Sequence, residues 1–135
     1  MLIEYVGTNF VGWQIQSKGK SIQKLIQTKL SKLIKEKISL IGSGRTDSGV
    51  HASEQSAHFE CKKEIQNLDK FLKSINHFVN DMNISIINIK KRNMNFHSRF
   101  SAKQRIYKYV IFNRLSKPSI EKKRGWHVIK ELMLR

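Results

Sequence analysis

Gly42-Ser-Gly-Arg-Thr-Asp-Ser-Gly-Val-His51 is the stretch of this chain whose residue types are best suited to chemistry. Glycines at 42, 44 and 49 let the backbone turn sharply and come close to a ligand. Between them stand one cation, Arg45, and one anion, Asp47. Two residues apart in an extended loop, their side chains fall on one side. A neighbouring guanidinium keeps a carboxylate ionised and oriented, and such a carboxylate works as a nucleophile or a base. The same two residues also suit a purely structural pair that pins a turn, because ion pairs perturb carboxylates whether or not a reaction follows. A phosphate-binding Walker loop does not fit, since the lysine that motif requires is missing here.

The elements that must position this loop are legible as periodicities. Leu2–Val6 reads as a strand. Ser21 is a plausible N-cap for a helix whose apolar stripe is Ile22, Leu25, Ile26, Leu30, Leu33 and Ile34. Ile38–Ile41 reads as a second strand running into the glycine loop. Gln55–Cys61 reads as a third, with Ser56, His58 and Glu60 on one face and Ala57 and Phe59 on the other. Leu68, Phe71, Leu72, Ile75, Phe78 and Val79 mark a second helix, and Ile84, Ile86, Ile87 and Ile89 a fourth strand. Ile106–Phe112, dense in β-branched and aromatic residues, is the strongest strand signal of all.

That order, β-α-β-β-α-β with one strand more, is the split β-α-β arrangement of ferredoxin-like α+β folds. It predicts an antiparallel sheet with two helices on one face and the other face open to a ligand or a further domain. The expected division is a domain over 1–114, then a basic connector and the start of another element over 115–135.

Of the 135 residues, 26 are Lys or Arg and 10 are Asp or Glu, a formal net charge of +16. The excess is lopsided: residues 1–89 hold twelve basic and eight acidic residues, residues 90–135 fourteen and two. Such a surface captures polyanions, with nucleic acid the leading partner and anionic lipid the second. One cysteine, Cys61, rules out an internal disulfide. No apolar run approaches about 18 residues, so no transmembrane helix is expected, and the N-terminus does not read as a secretory signal. A cytoplasmic protein is the simplest expectation.

Four stretches, in order, carry a family resemblance: EYVGTNFVGWQIQ (Glu4–Gln16), SIQ at the helix opening (Ser21–Gln23), GRTDSGVHA (Gly44–Ala52) and FHSRFSAKQRIYKYVI (Phe96–Ile111). Together they resemble the TruA-type tRNA pseudouridine synthases. The resemblance implies that Asp47 attacks the target uridine covalently and that Arg45 holds Asp47 and keeps the uridine flipped out. It implies that Tyr107 packs on the base and takes part in the final proton step. Arg99 and Arg105 are candidates for phosphate contact or for building the site, with a surface role as the alternative. The implied substrate is the anticodon stem-loop of tRNA, at positions 38–40, recognised by shape and phosphate contacts. Neither metal nor organic cofactor is implied.

Base eversion costs stacking energy that an aromatic ring partly offsets. Asp47 is then expected to have low exposure to water and a cationic neighbour. Phe10 and Trp13 suit the core better than RNA stacking. His51, His58 and His97 read as structural, and Tyr109 shares the face of Tyr107 if strand alternation holds.

Some positions depart from the family pattern. Val6 stands where Asp is usual, Ser48 replaces Ala, and Asn76–Asn80 lacks the proline of its turn. Family members have a second domain of similar fold, the cleft lies between the halves, and the full-length proteins are homodimers. This chain reaches Arg135 about where that half would begin, so a missing C-terminal half and half a cleft are expected. The competing expectation is a basic RNA-binding module that catalyses nothing.

Overall fold

The computed structural model describes residues 1–133. The chain parts into two compact units, Met1–Lys103 and Gln104–Arg135. The division falls earlier than the boundary after 114 expected from the sequence pattern.

The first unit holds β1 (Leu2–Tyr5), α1 (Ile22–Ile34), β2 (Ile41–Gly42), β3 (Ala52–His58), α2 (Leu68–Val79) and β4 (Ile84–Asn88). The sheet order is β2-β3-β1-β4, with every neighbouring pair antiparallel. Each helix therefore joins two strands that have a third between them, as the split β-α-β reading requires. Alternation along β1 buries Ile3 and Tyr5 and exposes Glu4. The buried face meets Ile22, Ile26, Leu30 and Ile34 of α1 and Ile75 and Val79 of α2 in one apolar core, completed by Ala57, Ile84 and Ile86. Burying side chains of this size is worth about 1.5–3 kcal/mol each and is what holds the two layers together.

Ile38 and Leu40, expected within a strand, are buried but lie outside β2. Their backbone groups bond to side chains of α1 instead. Ser31 Oγ accepts from Ile38 N at 3.0 Å, Gln27 Oε1 accepts from Leu40 N at 3.0 Å, and Gln23 Nε2 donates to Leu40 O at 2.7 Å. Three polar residues four apart on one helical face thus do the work of a neighbouring strand. At the other edge, Asn76 of α2 donates to Ile86 O at 2.9 Å and accepts from Ile86 N at 2.8 Å.

Ser21 occupies the N-cap of α1, yet its hydroxyl caps nothing and is buried without a hydrogen-bond partner. The carbonyls of Gly12 and Trp13 accept from the N–H groups of Ile22 and Gln23, so the preceding loop satisfies the helix opening.

The second unit has two short parallel strands, β5 (Ile111–Asn113) and β6 (Trp126–Val128). Only the end of the expected Ile106–Phe112 strand is realised. Residues 104–110 are not strand, and Ile106, Tyr107 and Tyr109 are exposed by 81%, 65% and 91%. β-Propensity measures how side chains fit a packed, pleated surface; these apolar residues have no such surface over them. The alternation that would set Tyr107 and Tyr109 on one face therefore does not apply. Between β5 and β6, residues 116–124 are basic and mostly exposed. Among the described residues, no helix is long and apolar enough to cross a membrane.

Candidate active site

β2 delivers the chain into the loop at Gly42, and β3 takes it up again at Ala52. The loop therefore hangs from two adjacent antiparallel strands, and its backbone is fixed at nearly every step. Ser43 N donates to Ser56 O at 2.7 Å, and Gln55 Nε2 donates to Gly44 O at 2.6 Å. Thr46 is held on both sides: its hydroxyl lies 2.9 Å from Tyr5 Oη, and its carbonyl accepts from Trp13 N at 2.9 Å. Asp47 O accepts from Val50 N at 3.2 Å, closing a turn in which Gly49 takes a φ of +81°. Ser48 Oγ donates to Phe10 O at 3.1 Å, and His51 Nδ1 accepts from Gly7 N at 3.0 Å.

The loop rests on aromatic rings of the core. Trp13 and Tyr5 are buried with centroids 6.0 Å apart, and Phe10 is buried beside them. Phe10 and Trp13 are thus core residues, as their size suggests. Gly12 makes the close approach possible: with φ +110°, a Cβ there would lie 2.6 Å from Thr46 O. Burial pushes the Tyr5 phenol pKa up, and the Thr46 hydrogen bond partly offsets that.

This pinning sorts the side chains. Alternation in the extended stretch turns Thr46 inward and leaves Arg45 and Asp47 outward, both exposed. The expected low exposure of Asp47 is not found, and Arg45 and Asp47 form no ion pair with each other. The reason lies in the loop itself: its backbone and its small residues carry the anchoring, so neither charge is needed as a pin. Among the described residues, shallow depressions of about 490 and 500 Å³ sit on the two helices, and neither includes a loop residue. The acid is exposed at the surface.

The remaining candidates lie elsewhere. Arg99 is exposed in a turn anchored at the His58 end of β3. There Ser98 Oγ donates to Ile41 O at 2.8 Å and lies 2.8 Å from His58 Nδ1, which also accepts from Ser98 N at 3.1 Å. His58 pairs with Ile41, the residue before the loop, and the loop rejoins β3 at Ala52, so the turn is anchored beside the loop's entry. Arg105 and Tyr107 belong to the Gln104–Arg135 unit. Of the five candidates, then, one loop carries Arg45 and Asp47 and the other three lie outside it.

Three positioning residues escaped the sequence reading: Tyr5, Thr46 and Gln55. A signal existed for Thr46, since a residue between two outward side chains of an extended loop must point inward. Gln55 carried another, standing two residues from Ala57 on the buried side of β3.

A family profile described as tRNA pseudouridine synthase matches residues 1–101. The chain is 79% identical over 132 residues to the tRNA pseudouridine synthase A of Pelagibacter ubique (strain HTCC1062), a match covering 98% of this chain and 54% of that protein. It is 44% identical over 132 residues to the Ruminiclostridium cellulolyticum protein of the same name (98% and 53% covered). To that of Anaplasma marginale (strain Florida) it is 39% identical over 134 residues (97% and 53%). The chain spans about half the length of the curated relatives it matches. It belongs to the tRNA pseudouridine synthase family and corresponds to the N-terminal half of its members.

Proposed function

We propose that this protein carries the nucleophile of a tRNA pseudouridine synthase acting on uridines 38–40 of the anticodon arm, and that the nucleophile is Asp47. The observation that carries the reading is the exposed carboxylate of Asp47 on a loop whose backbone is pinned on both sides of it. A reactive group held on a rigid backbone and open on one side is preorganised for an everted nucleotide. Asp47 attacks the uridine covalently and is released later. The bond from ribose C1′ to uracil N1 breaks, the freed uracil turns, and a bond from C1′ to C5 replaces it. A proton leaves C5 and a proton is gained at N1, so the product is an isomer of the substrate. Arg45 neutralises Asp47 and helps keep the base out of its stack once RNA is bound. Tyr107 stacks on the base and serves the proton step, and Arg99 and Arg105 meet phosphates.

The open surface around Asp47 admits water, which wastes a covalent intermediate. The reading therefore includes a further half that closes the cleft, together with homodimer assembly and a place in the cytoplasm beside tRNA. A second reading, an RNA-binding module without activity, draws on the missing Arg45–Asp47 pair and the same open surface.

Incubating the whole chain with an unmodified anticodon-arm transcript, alone and with the complementary C-terminal half of a relative, and assaying pseudouridine separates the two. Product should form and vanish in Asp47→Ala, with RNA affinity kept within a few-fold. Product from Asp47→Ala would overturn the assignment of the nucleophile. An RNA shift with no product in either arm favours the binding module.

A further inference from the structure

Residues 96–101 form a small, rigid turn. Ser101 N donates to His97 O at 2.7 Å, and Ser101 Oγ accepts from His97 N at 3.1 Å. His97 Nδ1 faces the N–H groups of Arg99 and Phe100 at 3.2 and 3.4 Å. Ser98, buried, fastens the turn to β2 and β3 through Ile41 O and His58. The turn presents an aromatic pair: the rings of His97 and Phe100 stack with centroids 4.3 Å apart and an interplanar angle of 28°. His97 is half-buried and also meets the His58 ring at 4.6 Å. Phe100 is 79% exposed. A large apolar ring held open to water by a turn this well bonded is costly unless something covers it.

The surroundings state the chemistry of the cover. Arg99 is adjacent and exposed, Lys103 follows, and Lys90 and Arg92 lead in, with Lys91 between them paired to Glu64 at 2.8 Å. No Asp or Glu occurs between Asp81 and Glu121. An acidic or purely apolar protein surface matches only part of this. A flat π-system attached to phosphates matches all of it, by stacking on the ring and by charge.

We propose that the His97–Phe100 pair is a stacking platform for an unpaired nucleobase of bound RNA, with Arg99 and Lys103 on the flanking phosphates. It is carried on a turn of its own, fastened to Ile41 at the entry of the Asp47 loop, and it takes a nucleobase other than the one that Asp47 attacks. The proposal rests on the RNA-binding side of the function proposed above.

The test is titration of the whole chain with an anticodon-arm transcript across a salt series. Phe100→Ala should weaken binding by roughly tenfold, while its urea denaturation midpoint stays near that of the unaltered chain. Phe100→Trp should restore affinity, and its fluorescence should be quenched on adding RNA. Arg99→Ala should flatten the salt dependence by about 0.7 in log–log slope, the share of one single-strand phosphate contact. Unchanged affinity in Phe100→Ala, or an unquenched tryptophan in a tightly bound complex, overturns the platform and leaves the isomerase proposal standing. Failure of the unaltered chain to bind RNA overturns both. If the C-terminal half of a relative quenches the tryptophan without RNA, the ring is a domain contact and the platform is wrong.

Discussion

The Gly42–His51 loop and the Gln104–Val110 segment are both expected to carry parts of one reaction, and they are built in opposite ways. The loop is irregular, yet its backbone and side chains together are bonded to β1, β3 and the Gly7–Trp13 stretch at most of its residues. The segment has the composition of an ideal strand, yet Ile106, Tyr107 and Tyr109 are exposed and no strand forms until Ile111. Order in an irregular segment comes from neighbours that satisfy its backbone, and propensity without such neighbours orders little.

The comparison can be broken most forcefully at Gly12. Gly12→Val puts a branched side chain where the φ is +110° and Thr46 O is already in contact range. It should cost about 3 kcal/mol, read as a lower urea midpoint, and should take any Asp47-dependent product with it. A smaller break is Thr46→Val, which keeps the shape and leaves the buried Tyr5 hydroxyl unpaired. A loss of about 1–2 kcal/mol is expected; pairing it with Tyr5→Phe should recover part of that, because neither partner is then stranded. Full additivity of the two losses would show that the hydrogen bond contributes nothing.

Acid should loosen the turn that Ser98 anchors. Burial, and then the charge of His97, hold the His58 pKa below its ordinary 6.5, as does the N-terminal amine, while Glu60 pulls the other way. The folded state thus favours neutral His58, whose Nδ1 accepts from Ser98 N. That contribution is complete above pH 6.5 and fades as the pH falls through the lowered folded value. Melting temperatures between pH 7.5 and 5 should drop more steeply for the unaltered chain than for His58→Gln; parallel curves would remove His58 from the account. The smallest effect belongs to the other side of the comparison. Tyr109→Ser should shift stability by less than about 0.5 kcal/mol, and a larger loss would mean that the segment is packed after all.

Most of the first unit was legible from periodicity, because its two helices and the strands β1, β3 and β4 each bury one face. β2 was misplaced since a buried apolar alternation at Ile38 and Leu40 looks the same whether its backbone bonds to a strand or to glutamines on a helix. In the site, the identity of the loop was readable, but its electrostatics were not. Two opposite charges two residues apart suggest a pair, and only the three-dimensional anchors at Thr46, Ser48 and His51 show that the loop stands without one. Those anchors reach partners some forty residues away in sequence, at Tyr5, Phe10 and Gly7, beyond any local pattern.

The amide of Asn76 has a consequence for how copies of this protein meet. By saturating both polar groups of Ile86 on the outer rim of the sheet, it leaves an incoming extended peptide nothing to zip onto at that register. Self-association by sheet extension along β4 would first have to prise α2 away from the strand it guards.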